Sequence, residues 1–348
     1  MKKTALEFTN QAPTFSLIEG GATRPKNASA HPLSYAVIER YGQDWINEAE
    51  YLLQSPCTIA GKSDSIMRLL WWMRQNHLDE CGTKEFRRFF AYIGNGHLTS
   101  GGRWGNPRLT KPASPRTIQY YFNYLRGFCR WLQSENVIDE SPMTGLLVPR
   151  VERDPIQPFN TEQINALLAA AAQSVQPKRN EAILLFMLDT GVRASELCSL
   201  SYKDLELHGS YGQATVLGKG RKKRTLPFSR RAARAMWQYL RDSPRPEHSA
   251  VFLSDRGQGA GAPFTRSGLL QLFERLGAAA GIRGVRCSPH TMRHTFAINF
   301  LRAGGNTFTL QQILGHTALH MTMKYCAIAQ ADIENQHKMF SPADRLGK

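Results

Sequence analysis

From Tyr35 to Asn136 the apolar residues recur every three or four positions and nowhere alternate. That periodicity admits amphipathic helices and excludes half-buried strands over this stretch. On the first helix, starting at Tyr35, Val37, Ile38, Tyr41, Trp45, Ile46, Ala49, Leu52 and Leu53 share a face. A second helix is expected over about 58–77, with Ile66, Leu69, Leu70 and Met73 inward. A third starts near Thr83 and carries Phe86, Phe89, Phe90 and Ile93. Ser114-Pro115 starts a fourth, with Ser as N-cap and Pro in the first turn. Its inward residues are Ile118, Phe122, Leu125, Cys129 and Leu132, and it ends near Asn136.

The pattern stops at Pro142, Pro149, Pro155 and Pro158, which read as a linker of partly preset reach. It resumes at Thr161, the N-cap of a helix with Ile164, Leu167 and Leu168, followed by an apolar helix over 180–188. Gln213–Leu217 and Arg224–Phe228 read as two short strands joined through a glycine-flanked turn. The rest is mostly helical to about Gln336. The chain of 348 residues therefore holds about two domains. Residues 1–34, with Pro13, Pro25 and Pro32, read as a tail or arm.

Lys and Arg number 44 against 28 Asp and Glu, a net charge of +16. Residues 1–150 carry 18 basic and 13 acidic groups, and residues 151–348 carry 26 and 15. Both halves are basic, which fits two domains gripping one polyanion, nucleic acid being the commonest. The densest block, Lys219 to Arg234, contains no acid. No run approaches 18 apolar residues, so a membrane span is not expected. Cys57, Cys81, Cys129, Cys198, Cys287 and Cys326 form no CxxC pair. A reducing cytosol is expected, without a zinc site or disulfide framework.

Two segments carry chemistry. In Asp189-Thr190-Gly191-Val192-Arg193-Ala194-Ser195-Glu196-Leu197, Gly191 breaks a helix and Arg193 starts another. Its fork can face a phosphate while Asp189 or Glu196 holds it. By itself this is an ordinary structural ion pair. In Ser288-Pro289-His290-Thr291-Met292-Arg293-His294, a capped helix start places His290 and Arg293 on one face beside backbone N–H groups. His294 is assigned to packing. Gly315 of Leu314-Gly315-His316 reads as a helix C-cap that exposes His316. Nine residues later comes Tyr325, and Lys219 stands at the hairpin tip. A lone helical Tyr is usually core, and a hairpin Lys is usually solvated.

The order Arg193, Lys219, His290, Arg293, His316, Tyr325 is more telling than any member. With TGVRASEL, the GKG hairpin, HTMRHTFA, and LGH followed at nine residues by Tyr, the sequence resembles the tyrosine site-specific recombinases of the integrase and Xer type. The resemblance covers about residues 35–335, including 115–150, similar to the last helix of the family's core-binding domain and its exit. Two departures stand out, a long glycine-rich loop at 95–113 and His320-Met321 where small polar residues are usual.

The resemblance implies a mainly α fold. A four-helix, SAM-like core-binding domain would occupy residues 35–140, and a linker 141–160. A mostly helical catalytic domain with a small antiparallel sheet would occupy 161–335, and a tail 336–348. It implies attack by Tyr325 on a DNA phosphodiester, with Arg193 and Arg293 on the nonbridging oxygens and His316 adding a hydrogen bond. His290 would take part in proton transfer, and Lys219 would act as the acid for the leaving oxygen. No metal and no cofactor are expected. Arg103, Arg108, Lys111, Arg116, Arg221, Lys222, Lys223 and Arg224 are the expected DNA contacts. The partners implied are double-stranded DNA and three further copies in a homo-tetramer on two DNA sites, in a bacterial cytoplasm and at the nucleoid. Helper proteins and target sequence are left open. The short arm favours a mobile-element or resolution role over phage integration. The competing readings are a catalytically silent DNA-binding regulator and a type IB topoisomerase-like relaxing enzyme.

Overall fold

The structure is a computed structural model. It describes residues 31–98, 101–148, 150–151, 157–218, 222–242, 249–254, 261–316, 318–329, 337 and 341–343. The chain divides into two compact units, 1–153 and 154–348, and the division falls in the proline-rich segment.

The first unit holds helices α1 (Tyr35–Tyr51), α2 (Pro56–Gln75), α3 (Thr83–Gly94) and α4 (Pro115–Ser134). Ser34, Ser55 and Ser114 cap α1, α2 and α4, each accepting a backbone N–H from the first turn. The second helix starts two residues earlier than expected because Ser55-Pro56 is a cap followed by Pro at the first turn. Leu52 and Leu53 were expected on the buried face of α1, but the helix ends at Tyr51 and leaves them 55% and 90% exposed. Two short strands were not expected: β1 (Leu33–Ser34) pairs antiparallel with β2 (Glu80–Cys81). Two residues cannot display alternation. Leu33 is thereby buried in the core, although it belonged to the expected arm.

The core of this unit is aromatic, with Trp45, Trp72, Phe86, Phe89, Phe122 and Phe128 buried. The glycine-rich loop packs onto it. Trp104 sits edge-on to Trp71 at 5.8 Å and beside Phe89 and Tyr121. Gly102 makes this turn at φ +88°, where an added Cβ would lie 1.8 Å from Asn106 O.

The second unit begins with α5 (Thr161–Ala172), α6 (Pro177–Thr190) and α7 (Ala194–Cys198). A three-stranded antiparallel sheet follows, β3 (Leu205–Leu207), β4 (Tyr211–Leu217) and β5 (Lys223–Ser229), in that order across the sheet. The β4–β5 hairpin was expected and β3 was not. Pro227 is tolerated because β5 is an edge strand. Then come α8 (Arg230–Arg241), α9 (Arg266–Ala279), α10 (Pro289–Arg302), α11 (Thr307–Leu314) and α12 (His320–Ala329). Helix α6 is buried nearly all round and packs on α5, α8, α10 and β5. Phe186 on α6 meets Phe228 on β5 at 5.2 Å. A smaller cluster joins α10, α11 and α12 through Phe296, Ile298, Leu301, Leu310, Leu314 and Tyr325. Helices α6, α11 and α12 thus end or lie against α10, and the candidate site forms where they meet. Among the described residues no helix is long and apolar enough to cross a membrane.

Candidate active site

Two left-handed glycines bring the site together. Gly191 ends α6 at φ +58° and Gly315 ends α11 at φ +61°. Each turn strands helix-terminal carbonyls, which need donors. Arginines supply them. Arg293, 4% exposed, donates to Gly191 O at 2.6 Å and to Leu314 O at 2.8 Å. Arg193 donates to Gly315 O at 2.8 Å, and Arg224 donates through Nε to Ile313 O at 2.7 Å. Cations at helix C-termini also complement the helix dipole.

Glu196 binds this group. Its carboxylate accepts from the Arg193 side chain at 2.8 Å, the Arg193 backbone at 2.9 Å, and both terminal nitrogens of Arg224 at 2.8 and 2.7 Å. Burial alone would raise the Glu196 carboxyl. The hydrogen bonds from Arg224 and Arg193 outweigh it and hold the group below the usual carboxylate range. Asp189, the other acid proposed for Arg193, instead accepts the Ser229 backbone N–H. Burial, and then the neighbouring Arg193 charge, pull Arg293 down to about 10, so it stays a cation at neutral pH.

His316 reveals its tautomer. Its Nε2 lies 3.1 Å from the Arg293 guanidinium, which can only donate. Nε2 therefore accepts, the proton sits on Nδ1, and Nδ1–H donates to Thr322 Oγ1 at 2.9 Å. Burial, then the charges of Arg293 and Arg193, lower His316 to about 4, in keeping with a neutral ring. His316 was expected to add a hydrogen bond to the phosphate. Here Nε2 accepts and Nδ1–H is taken by Thr322, so the ring donates to a phosphate only after exchanging partners or gaining a proton.

Tyr325 is 1% exposed, with its ring nearly parallel to that of His316 at 6.2 Å. Its hydroxyl lies 2.7 Å from Nδ1 of His294. Burial raises the phenol, and the Arg293 and Arg193 charges pull it back down. His294, expected to pack on a different helix face from His290 and Arg293, does not: the rings of His294 and His290 are 4.2 Å apart, as a spacing of four on α10 requires.

Residues 158–332 match the model of the phage integrase family. The chain belongs to this family of tyrosine recombinases. It is 29% identical over 236 residues to tyrosine recombinase XerD of Listeria monocytogenes serovar 1/2a, covering 66% of this chain and 77% of that one. To tyrosine recombinase XerC of Serratia marcescens it is 30% identical over 226 residues, covering 64% and 72%. Among solved structures, the Tn1549 transposon integrase in complex with a circular intermediate DNA superposes with a TM-score of 0.63 at 20% identity, covering 86% of this chain and 99% of that one. XerH site-specific recombinase bound to its palindromic difH substrate gives 0.59 at 18% identity, covering 90% and 85%. At these identities the structures speak to a shared fold.

The remaining expected site residues of this phage integrase family member divide into four groups. Lys219 and Arg221 lie outside the described residues, but the hairpin stem reaches them on both sides, with Gly218 N–H donating to Lys222 O at 2.9 Å. Arg108, Lys111, Arg116, Lys222 and Lys223 are exposed. Arg103 and Arg224 are not surface residues reaching outward. Arg103 is 8% exposed and donates to Ile93 O and Lys111 O, pinning the glycine-rich loop. Arg224 is committed to Glu196 and Ile313. His290 is exposed at the first turn of α10, whose Ser288 cap accepts from Thr291 N at 3.1 Å.

Proposed function

We propose that this chain is a site-specific DNA recombinase that cuts and rejoins strands through a 3′-phosphotyrosine. The observation that carries this is the convergence of Arg193, Arg293, His316 and Tyr325, from four separate segments, around two helix C-termini. Glu196 supplies one negative charge against three cations, Arg193, Arg224 and Arg293, and a phosphodiester is an anion that would take up the surplus and that a tyrosine nucleophile can attack.

In the cleavage step Tyr325 Oη bonds to phosphorus and the bond to the 5′-oxygen breaks. The phenol proton leaves as attack proceeds, with His290 as the partner. Lys219 protonates the departing oxygen. Arg193 and Arg293 turn their donors from carbonyls to the nonbridging oxygens, where charge grows. The phosphotyrosine conserves the phosphodiester's energy, so rejoining is the reverse reaction with a second 5′-hydroxyl.

By the same reading, residues 35–140 are the core-binding domain and 161–335 the catalytic domain, joined by 141–160. Arg108, Lys111, Arg116, Lys222 and Lys223 meet the DNA backbone, which positions without reading sequence. Four copies act on two duplexes in the bacterial cytoplasm to integrate, excise or resolve a mobile element. Segment 331–348, most of which lies outside the described residues, would dock on a neighbouring copy.

The test uses a nicked duplex whose site the protein itself has selected from a randomised pool. The wild-type chain should form an SDS-resistant adduct, and Tyr325→Phe should bind the duplex equally but form none. An adduct that persists in Tyr325→Phe refutes the assignment.

A further inference from the structure

The hydrogen bond between Tyr325 and His294 lies outside the roles assigned above. Both groups are buried, Tyr325 on α12 and His294 on α10, and the contact joins residues 31 apart in sequence. A buried phenol hydroxyl needs a partner, and an unpaired one is costly. Other side chains also surround the ring. His316 stacks at 6.2 Å and the Lys324 ammonium stands 5.1 Å from the ring centre. The pairing of the hydroxyl with His294 is the shortest of these contacts.

We propose that His294 is a positioning residue for the nucleophile: its Nδ1 holds the Tyr325 hydroxyl in a buried stand-by position, from which the hydroxyl passes to the phosphate. This rests on Tyr325 being the nucleophile.

Holding, rather than proton removal, follows from the charges that face the imidazole. His290 and Arg293 on α10, His316 after α11, and Lys324 on α12 all oppose a positive His294, and burial opposes it most. The imidazole falls to about 3, while burial lifts the phenol above its ordinary value of 10.0. Proton transfer from phenol to imidazole is thus strongly uphill. A neutral His294 pairs with the hydroxyl without taking its proton. The Tyr325 ring lies 6.2 Å from that of His316, whose Nε2 is 3.1 Å from Arg293, so the stand-by position adjoins the place where a phosphate would be clamped.

The experiment measures single-turnover adduct formation on the self-selected nicked duplex, together with duplex affinity. His294→Leu, which removes the hydrogen-bonding atom, should slow adduct formation at least about tenfold with affinity unchanged. His294→Asn, which keeps a polar atom near the Nδ1 position, should recover most of the rate. Equal rates in all three proteins, equal loss in both variants, or a loss matched by weaker binding would each overturn the proposal. Should His294→Leu not fold, nitrogen NMR of histidine-labelled protein decides. The His294 Nδ1 resonance should shift between wild type and Tyr325→Phe, and an unchanged resonance overturns the proposal. An inactive wild-type chain would count against the recombinase reading instead, and the NMR arm would still report on the contact.

Discussion

The guanidinium of Arg224 grips both carboxylate oxygens of Glu196, NH1 to Oε1 at 2.8 Å and NH2 to Oε2 at 2.7 Å. This fork ties β5, the strand following the Lys219 hairpin, to the short helix that Arg193 starts. Arg224 also holds the last turn of α11. The hairpin, the first arginine and the turn bearing His316 therefore share one buried anchor.

Removing the acid from this anchor leaves two buried or half-buried cations facing each other. Glu196→Ala should lower unfolding free energy by about 3–5 kcal/mol, measured by urea denaturation at neutral pH. Arg224→Lys keeps charge but loses the fork, and should recover only part of the stability. The Glu196 carboxyl is held below its unfolded value, so its contribution is present above that value, about 4.3, and fades as pH falls through the folded one. The gap between wild type and Glu196→Gln should accordingly shrink on acidification below about pH 4. A gap constant down to pH 2 would contradict the pairing.

The arginines at the site should matter most when charge grows on the phosphate. Arg193→Ala and Arg293→Ala are each expected to slow adduct formation about 10²–10³-fold, or about 2.7–4 kcal/mol. Because Arg293 also satisfies Gly191 O and Leu314 O, its alanine variant should lose thermal stability as well. A rate loss fully rescued by raising DNA concentration would instead assign these residues to simple binding.

Two histidines should remain neutral through the physiological range. His316 is lowered to about 4 and His294 to about 3. Their ring resonances should not titrate between pH 8 and 5. Unfolded histidines gain protons near 6.5, so these two rings destabilise the fold as pH falls from there toward their folded values. Their contribution to stability is complete above about 6.5. A midpoint near 6.5 for either resonance in the folded protein would refute the buried contacts.

Gly191 tolerates no side chain. A Cβ there would lie 2.3 Å from Phe296 Cδ1 and 3.0 Å from Leu314 Cδ2, at a left-handed φ. Gly191→Ala should destabilise by about 1–3 kcal/mol and displace the carbonyl that Arg293 holds. Thermal unfolding and single-turnover adduct formation should fall together.

Cleavage should continue in EDTA, because in the proposed mechanism the arginine pair would supply the charge and Lys219 the proton. Abolished cleavage, restored by added magnesium, would overturn that account.

Helix spacing and cap residues made most helices legible before any coordinates, since 3.6-residue periodicity and Ser or Thr caps are local properties. The short strands β1, β2 and β3 were missed because pairing with a distant segment defines them, while two or three residues hold no readable alternation. Order and spacing also singled out Arg193, Arg293, His316 and Tyr325 by their chemical types. What those side chains bond to was decided by tertiary structure. Arg224 and Arg103 look like any surface cation in sequence, and only burial turns them into clamps on carbonyls. His294 looks like core packing until α12 places a hydroxyl against it. The sequence by itself determined which functional groups the chain carries and on which local elements. The tertiary fold alone decided which donor meets which acceptor, because those partners lie far apart along the chain and a buried polar group must take whatever partner the packing brings.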